Sequence, residues 1–390
     1  MQRSSLAAPR LTLALVVAST VLAIMGTDLV LPAVPSLPQA LGGDAARAQL
    51  VLAAYVGGTC AGLIAYGALG DRIATPRLFA GSLLATAVVS FACAAAADIA
   101  TLIALRALQG AVAAGPAVFA PGIVKALFDD ARAVRAIGLL GSIEALAPAL
   151  APIVGVWLLA VGGWRLSFEL IGVAALALAA AVVLSGLVPQ TARRPRGGYA
   201  RLIGDPVYLR YALSQGFALG GLLTFVFGMP AVFVHALGGR LTDFIVMQVC
   251  GIATFMTCAN LAGLAAQRFG TERMIALGTA IAALGAAAIL AYALGRSADA
   301  LMVALLWVPV NVGFGLRGPP GFFRAVVAAH GDDARGAALV ILAILAIAGA
   351  GTALAAPFIA QGLAPLAAVA LALHALAVLC LAVLPPLADG

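Results

Sequence analysis

The chain has 390 residues, 64% of them hydrophobic and only 9% charged, with a formal net charge of +7. Soluble domains carry roughly a quarter charged residues, so a water-soluble globule is excluded, and the lack of alternating strand patterns excludes a β-barrel. The basic balance would suit nucleic acid, but its distribution along the chain assigns it to membrane topology instead.

Apolar runs of about twenty residues, each long enough to cross a hydrocarbon core as a helix, recur from end to end. The expected fold is an all-α membrane protein of twelve spans, at 11–33, 48–68, 77–97, 99–123, 136–160, 166–188, 207–235, 241–265, 273–293, 299–323, 336–360 and 363–385. The first run is too long for a signal peptide's core and carries Asp28, so it reads as an uncleaved span. The tenth is the least regular, because Pro309, Gly313, Gly315, Gly318, Pro319, Pro320 and Gly321 interrupt it.

Spans one to six end near Leu187, and a polar stretch rich in Pro, Gly and Arg follows from Pro189 to Gly198. The division expected is a six-helix bundle over 1–188, a cytoplasmic linker over 189–206 and a second six-helix bundle over 207–390. No extramembrane segment is long enough to fold as a soluble catalytic or receptor domain. With the N-terminus inside, Arg3, Arg10, Arg72, Arg77, Lys125, Arg132, Arg135, Arg193, Arg194, Arg196, Arg201, Arg210, Arg268, Arg273, Arg324 and Arg335 face the cytoplasm. Only Arg47, Arg165, Arg240 and Arg296 fall outside, and sixteen against four places both termini in the cytoplasm. A multi-pass protein of the cell inner (plasma) membrane is expected, acting as a monomer in the bilayer and binding no nucleic acid.

The loop from Gly67 to Arg77 echoes from Gly263 to Arg273, with Gly, Arg, Thr and Arg at identical spacing. Each copy joins one apolar segment to the next, which points to a duplicated membrane module. Two similar halves in one bilayer suggest a site that opens alternately to each side, the architecture of a transporter.

A charge at membrane depth is costly and marks a functional candidate. Asp28 lies late in span 1 and Arg106 early in span 4, level with one another on the outer side of the midplane and able to pair. Glu144 in span 5 lies ~12–15 Å from that level by helical rise. No basic residue shares its depth, and an unpartnered buried carboxylate is suited to taking up and releasing a proton. The expected proton-coupling set is therefore Asp28, Arg106 and Glu144, against a structural Asp28–Arg106 ion pair as the alternative. Glu169, near the outer end of span 6, reads as interfacial, and Arg317, near the inner end of span 10, as snorkelling.

The second half has no carboxylate at mid-depth and offers a polarisable, largely neutral set. Asn311, between Pro309 and Gly313, is the better cavity candidate, because a broken helix frees backbone groups to line a site. The expected substrate-binding set is Asp28, Tyr55, Gln109, Glu144, Phe225, Trp307 and Asn311. Pro148, Pro152 and Gly155 cluster in span 5 and read as a hinge, since each proline removes a backbone hydrogen bond. Cys60, Cys93, Cys250, Cys258 and Cys380 all sit inside spans and read as small apolar filler. No metal site or cofactor is expected.

These stretches resemble a known family. Thr27 to Pro35 resembles the first-span signature of the drug:proton antiporters of the bicyclomycin and chloramphenicol resistance type, a branch of the major facilitator superfamily. Gly67 to Arg77 resembles its loop 2–3 motif, with Asp71 and Arg72 in register. Arg106 to Gly110 with Gly115-Pro116 resembles the span 4 motif, Leu146 to Gly155 the span 5 antiporter motif, and Gly163-Trp-Arg165 also fits. The resemblance implies two pseudo-symmetric six-helix bundles about a central cavity lined by spans 1, 4, 7 and 10. It also implies a conformational latch at Gly67, Asp71, Arg72 and Arg77, and proton coupling through Arg106. Two departures stand out. Ile73 to Arg77 replaces the expected Gly and basic run, and Glu144 is acidic where the branch is not, so it would alternatively recognise a cationic substrate group.

The function expected is proton-coupled secondary export of small amphipathic compounds, with protons and a small-molecule substrate as partners. The alternative is a proton-coupled carrier of one metabolite. An enzyme is not expected, because His235, His330 and His374 are scattered and no Gly-x-x-x-x-Gly-Lys-Ser/Thr loop is present.

Overall fold

Hydrocarbon offers no hydrogen bonds, so each backbone group must be satisfied within the protein, and a helix does this inside its own segment. The computed structural model describes residues 3–191, 198–235, 241–295 and 299–387, and among these there are helices and no strand. The first half comprises α1 (Arg3–Asp28), a 3-10 turn (Leu31–Ser36), α2 (Leu37–Leu41), α3 (Ala45–Leu69), α4 (Thr75–Ala94), α5 (Ile99–Ala113), α6 (Gly115–Leu127), α7 (Asp130–Gly162) and α8 (Trp164–Ser185). The second comprises α9 (Gly198–Ile203), α10 (Pro206–His235), α11 (Leu241–Phe269), α12 (Thr271–Leu294), α13 (Ala300–Ala328), α14 (Asp333–Ala355), a 3-10 turn (Ala356–Gln361) and α15 (Leu363–Val383). Of the basic residues expected in loops, Arg193, Arg194, Arg196, Arg240 and Arg296 lie outside the described residues.

Among the described residues eleven helical stretches are long and apolar enough to cross a membrane, or twelve if α7, bent by 42° where Pro148 stands, is counted as one span. The tenth span is less broken than its prolines suggest: α13 runs unbroken through Pro309, Pro319 and Pro320. Span 1 runs further than expected, from Ala8 to Leu41, with α1 ending at Asp28 and Pro32 and Pro35 standing in a 3-10 turn beyond it. Span 4 divides into α5 and α6 at Ala114, where Pro116 has no N–H to continue the ladder.

The described chain forms two compact units. One holds Met1–Leu127, Ile143–Arg196 and Gly331–Ala338; the other holds Phe128–Ser142, Gly197–His330 and Leu339–Gly390. The boundary is thus reciprocal: the start of α7 packs within the second unit and the start of α14 within the first.

Both units repeat one packing scheme. In the first, α3 lies against α5 and α4 against α8; in the second, α11 lies against α13 and α12 against α15. Small residues let the backbones approach. A methyl group on Gly58, Gly62 or Gly110 would overlap the carbonyl oxygen of Ala107, Ala111 or Tyr55 across the α3–α5 contact. Gly278 and Gly313 meet in the same way between α12 and α13.

Gly110→Val should therefore cost about 1–3 kcal/mol or more through overpacking, whereas Gly81→Ala, which faces open space, should be neutral. Thermal unfolding of the two variants in detergent checks the contrast, and equal melting would remove the close α3–α5 approach as a stabilising feature.

Candidate functional site

The end of α1 organises the interior of the first unit. A helix leaves its last four carbonyls without intrahelical partners, and here Leu29 N–H bonds Met25 O and Val30 N–H bonds Thr27 O. The Gly26 carbonyl between them is taken by Arg106, whose Nη1 donates to it at 2.9 Å. Arg106 is 0% exposed and also donates from Nε to Val51 O of α3 at 3.2 Å. Its Nη1 also reaches Gln109 Oε1 at 2.6 Å. The guanidinium lies 4.2 Å from the Tyr55 ring centroid and 5.7 Å from that of Phe168, a geometry in which the ring faces attract a cation. One guanidinium thus joins α1, α3 and α5.

The surrounding side chains complete this arrangement. Tyr55 Oη donates to Ala23 O of α1 at 2.6 Å, and Gln109 Nε2 donates to Ser90 Oγ of α4 at 2.7 Å. Arg106 Nη2 is buried and has no hydrogen-bond partner.

Asp28 is the last residue of α1 and half-buried, close enough to Tyr55 to interact electrostatically. The expected Asp28–Arg106 ion pair is not formed: among the described residues no cation lies within 4.0 Å of Asp28. Backbone and amide oxygens take the Nε and Nη1 donors of Arg106 instead. Glu144 of α7 is also half-buried and lies beside the Thr20 hydroxyl of α1. Thr20 precedes Asp28 by eight residues, so the two carboxylates are separated along α1 by about 12 Å of helical rise. Gly155 of α7 sits directly against the Leu29 carbonyl, where a side chain would not fit.

The second unit answers with aromatic groups. Phe225 of α10 and Trp307 of α13 stack with centroids 4.8 Å apart at 22°, both almost fully buried. Asn311 turns back on its own helix, donating to Trp307 O at 2.9 Å. Arg317 does not snorkel. It is 0% exposed and donates to Ser214 O at 2.7 Å and Ser214 Oγ at 3.2 Å. Each unit therefore holds one desolvated arginine, on α5 or α13, bonded to the backbone of α1 or α10.

The loop between α3 and α4 carries a second cluster. Asp71 forms an ion pair with Arg335 at the start of α14. Arg335 also pairs with Asp332 at 3.0 Å, and Lys125 pairs with Asp333 at 3.0 Å. Gly67 is buried at the end of α3, while Arg72 and Arg77 are exposed. Sequence reasoning did not single out Lys125, Asp333 or Arg335 as partners for this loop. A signal was present, since Asp129-Asp-Ala-Arg132 recurs as Asp332-Asp-Ala-Arg335. In the second unit the echoed loop meets the other copy: Gly263 packs against Ala131 and Arg135. There Gln267 stands where Asp71 stands in the first loop, and Arg132 pairs with its neighbour Asp129 at 2.8 Å.

Among the described residues, up to twelve apolar spans in two units built on one packing scheme define a multi-pass membrane protein. Residues 16–340 match the model of the Major Facilitator Superfamily, and the chain belongs to that superfamily. A stretch of 165 residues is 34% identical to a chloramphenicol resistance protein of Pseudomonas aeruginosa, covering 41% of this chain and 38% of that one. Another of 230 residues is 30% identical to the MFS-type transporter YdgK of Bacillus subtilis, covering 56% and 57%. These matches thus span less than two thirds of either relative. The multidrug resistance protein MdtL of Escherichia coli is 23% identical over 75% of each chain. Among solved structures, that of the transporter FucP superposes with a TM-score of 0.74 over 96% of this chain and 99% of its own, at 13% identity, a likeness of fold.

The Asp71–Arg335 contact is little exposed, at 22% and 11%, so it should exceed a surface pair in strength. Asp71→Asn, Arg335→Gln and the double variant should be non-additive by about 0.5–3 kcal/mol in thermal unfolding. Additive losses would show that the two side chains do not act together.

Proposed function

We propose that this chain exports small amphipathic compounds in exchange for protons by alternating access. The observation that carries this reading is Arg106, desolvated and bonded to the end of α1, with two carboxylates of the same unit, Asp28 and Glu144, that have no basic group within 4.0 Å among the described residues. A carboxylate without a counter-ion in a low-dielectric interior is easily held neutral, so Asp28 and Glu144 are suited to carry protons. Protonation of Asp28 would remove a charge beside the carbonyl that Arg106 holds, coupling the proton to the end of the helix. The names of the relatives, a chloramphenicol resistance protein and a multidrug resistance protein, support a drug-like substrate.

The rest of the scheme follows the same proposal. Both termini lie in the cytoplasm, and bundles over 1–188 and 207–390 move about the linker at 189–206. Gly67, Asp71, Arg72 and Arg77 form the latch, with Arg335 and Lys125 added to it, and Pro148, Pro152 and Gly155 form the hinge. Tyr55, Gln109, Phe225, Trp307 and Asn311 complete the substrate set, although the hydrogen bonds of Gln109 and Asn311 to Ser90 and Trp307 must exchange for a ligand to use them. A second reading, a carrier for one cationic metabolite, is favoured by Glu144, whose carboxylate is free to pair with an amine.

Substrate-induced proton release from acidified inverted membrane vesicles separates these readings. Several unlike compounds should dequench a pH dye, and Asp28→Asn and Glu144→Gln should each lower the signal by about 100-fold, with protein levels unchanged. This magnitude corresponds to about 2.7 kcal/mol, within the range for coupling between sites. Proton release retained in Glu144→Gln but no longer driven by cations would assign Glu144 to substrate recognition. A full signal in both variants would overturn proton coupling through these carboxylates. Arg106→Ala should be inactive, and full activity in that variant would leave Arg106 as a structural clamp alone.

A further inference from the structure

The first unit carries an open groove that shares only Arg77 and its neighbouring loop with the transport scheme. It lies between α3, α4 and α5, encloses about 380 Å³, and has Gly62, Ala65, Tyr66, Gly81 and Arg77 among its lining. On α3 it extends from Ala61 to Leu69, a length of about 12 Å at helical rise. Its floor is made of small residues. Ala61, Ala65 and Gly81 are exposed, and a methyl group added to Gly81 would meet nothing within 4 Å.

The rim identifies the surroundings. Ile64, Leu84 and Leu108 stand beside the groove on the same three helices, exposed at 49%, 51% and 49%. Exposed apolar side chains beside a floor of small residues suit an acyl chain. Water would find too few polar partners there, since the Tyr66 hydroxyl already donates to Val112 O at 3.2 Å.

One end of the groove is charged. Arg77 lies in the first turn of α4, at the headgroup end of its span, and is exposed. Among the described residues no carboxylate lies within 4.0 Å of Arg77, and Asp71, the acid of the same loop, is engaged by Arg335. A guanidinium offers paired donors that match a phosphate, and basic groups between membrane helices at this level recruit anionic headgroups. We propose that the groove is a binding site for an anionic phospholipid, with one acyl chain along α3 and α4 and the phosphate on Arg77. The site depends neither on the proton-coupling scheme nor on the identity of the transported compound.

The test uses the full chain reconstituted in a mixture of phosphatidylethanolamine and phosphatidylglycerol, then extracted mildly and examined by native mass spectrometry. Phosphatidylglycerol should be retained above its share of the bulk lipid. Gly81→Leu, whose Cβ would meet nothing within 4 Å, should lose the bound lipid, and Ala65→Leu serves as a second filling variant if the first is poorly folded. Arg77→Gln should keep a lipid adduct but lose about fivefold in preference for the anionic headgroup, the equivalent of ~1 kcal/mol for one basic residue. No enrichment in the unaltered protein, equal retention in the filled variants, or retention of phosphatidylethanolamine alone would each overturn the proposal.

Discussion

A guanidinium removed from water must find its partners inside the protein, and in the first unit Arg106 finds them on three helices at once. Burial of a cation among apolar spans is costly, and the cost is offset by oxygens that would otherwise be unsatisfied. Gly26 O is such an oxygen, because α1 ends within two residues of it. The rest of the site follows from this contact. Gln109 is held by Arg106 and passes a hydrogen bond to Ser90, Tyr55 lies under the guanidinium and bonds Ala23, and Asp28 is left beside the cluster without a direct cation partner. In the second unit Arg317 repeats the principle on the backbone of α10, with Ser214 as its acceptor.

Duplication thus preserved the frame while the chemistry diverged. The close helix contacts recur in both units, as do the arginine that ties the fourth span to the first and the loops that meet an Asp-Asp-Ala-Arg segment. The acids do not recur. Asp28 and Glu144 belong to the first unit, where the second has the Phe225–Trp307 stack. The loop acid Asp71 becomes Gln267 in the echo, so the ion pair to Arg335 has no counterpart at Arg132. This asymmetry places the carboxylates at depth in the first unit and a stacked aromatic pair, along with the buried Arg317, in the second.

Much of the fold was legible because its cause is local. Twenty apolar residues suffice to specify a span, and Pro32, Pro116 and Pro148 act on the helices that contain them. The site was legible in membership more than in arrangement. Asp28, Arg106 and Glu144 stood out because charges are rare at their depth, yet the Asp28–Arg106 pair inferred from equal depth is absent. Depth fixes height along the membrane normal and leaves rotation about the helix axis open. Arg317 was misread for the same reason: nearness to a helix end suggested snorkelling, while its rotation turns it onto Ser214. Arg335 went unnoticed because its partner is the acid of a loop some 260 residues away, and no local pattern reports such a contact.

The sequence alone therefore determined a twelve-span membrane protein with a duplicated plan, its family, and the few residues whose charge at depth demands explanation. These follow from hydropathy and covalent geometry, which act over one helix at a time. The tertiary structure decided which oxygen each arginine meets, which carboxylates are left without a cation, and where a groove opens. Those outcomes depend on the rotation and close approach of helices distant in sequence, set by small residues such as Gly58, Gly110, Gly278 and Gly313 that decide how near two backbones can come.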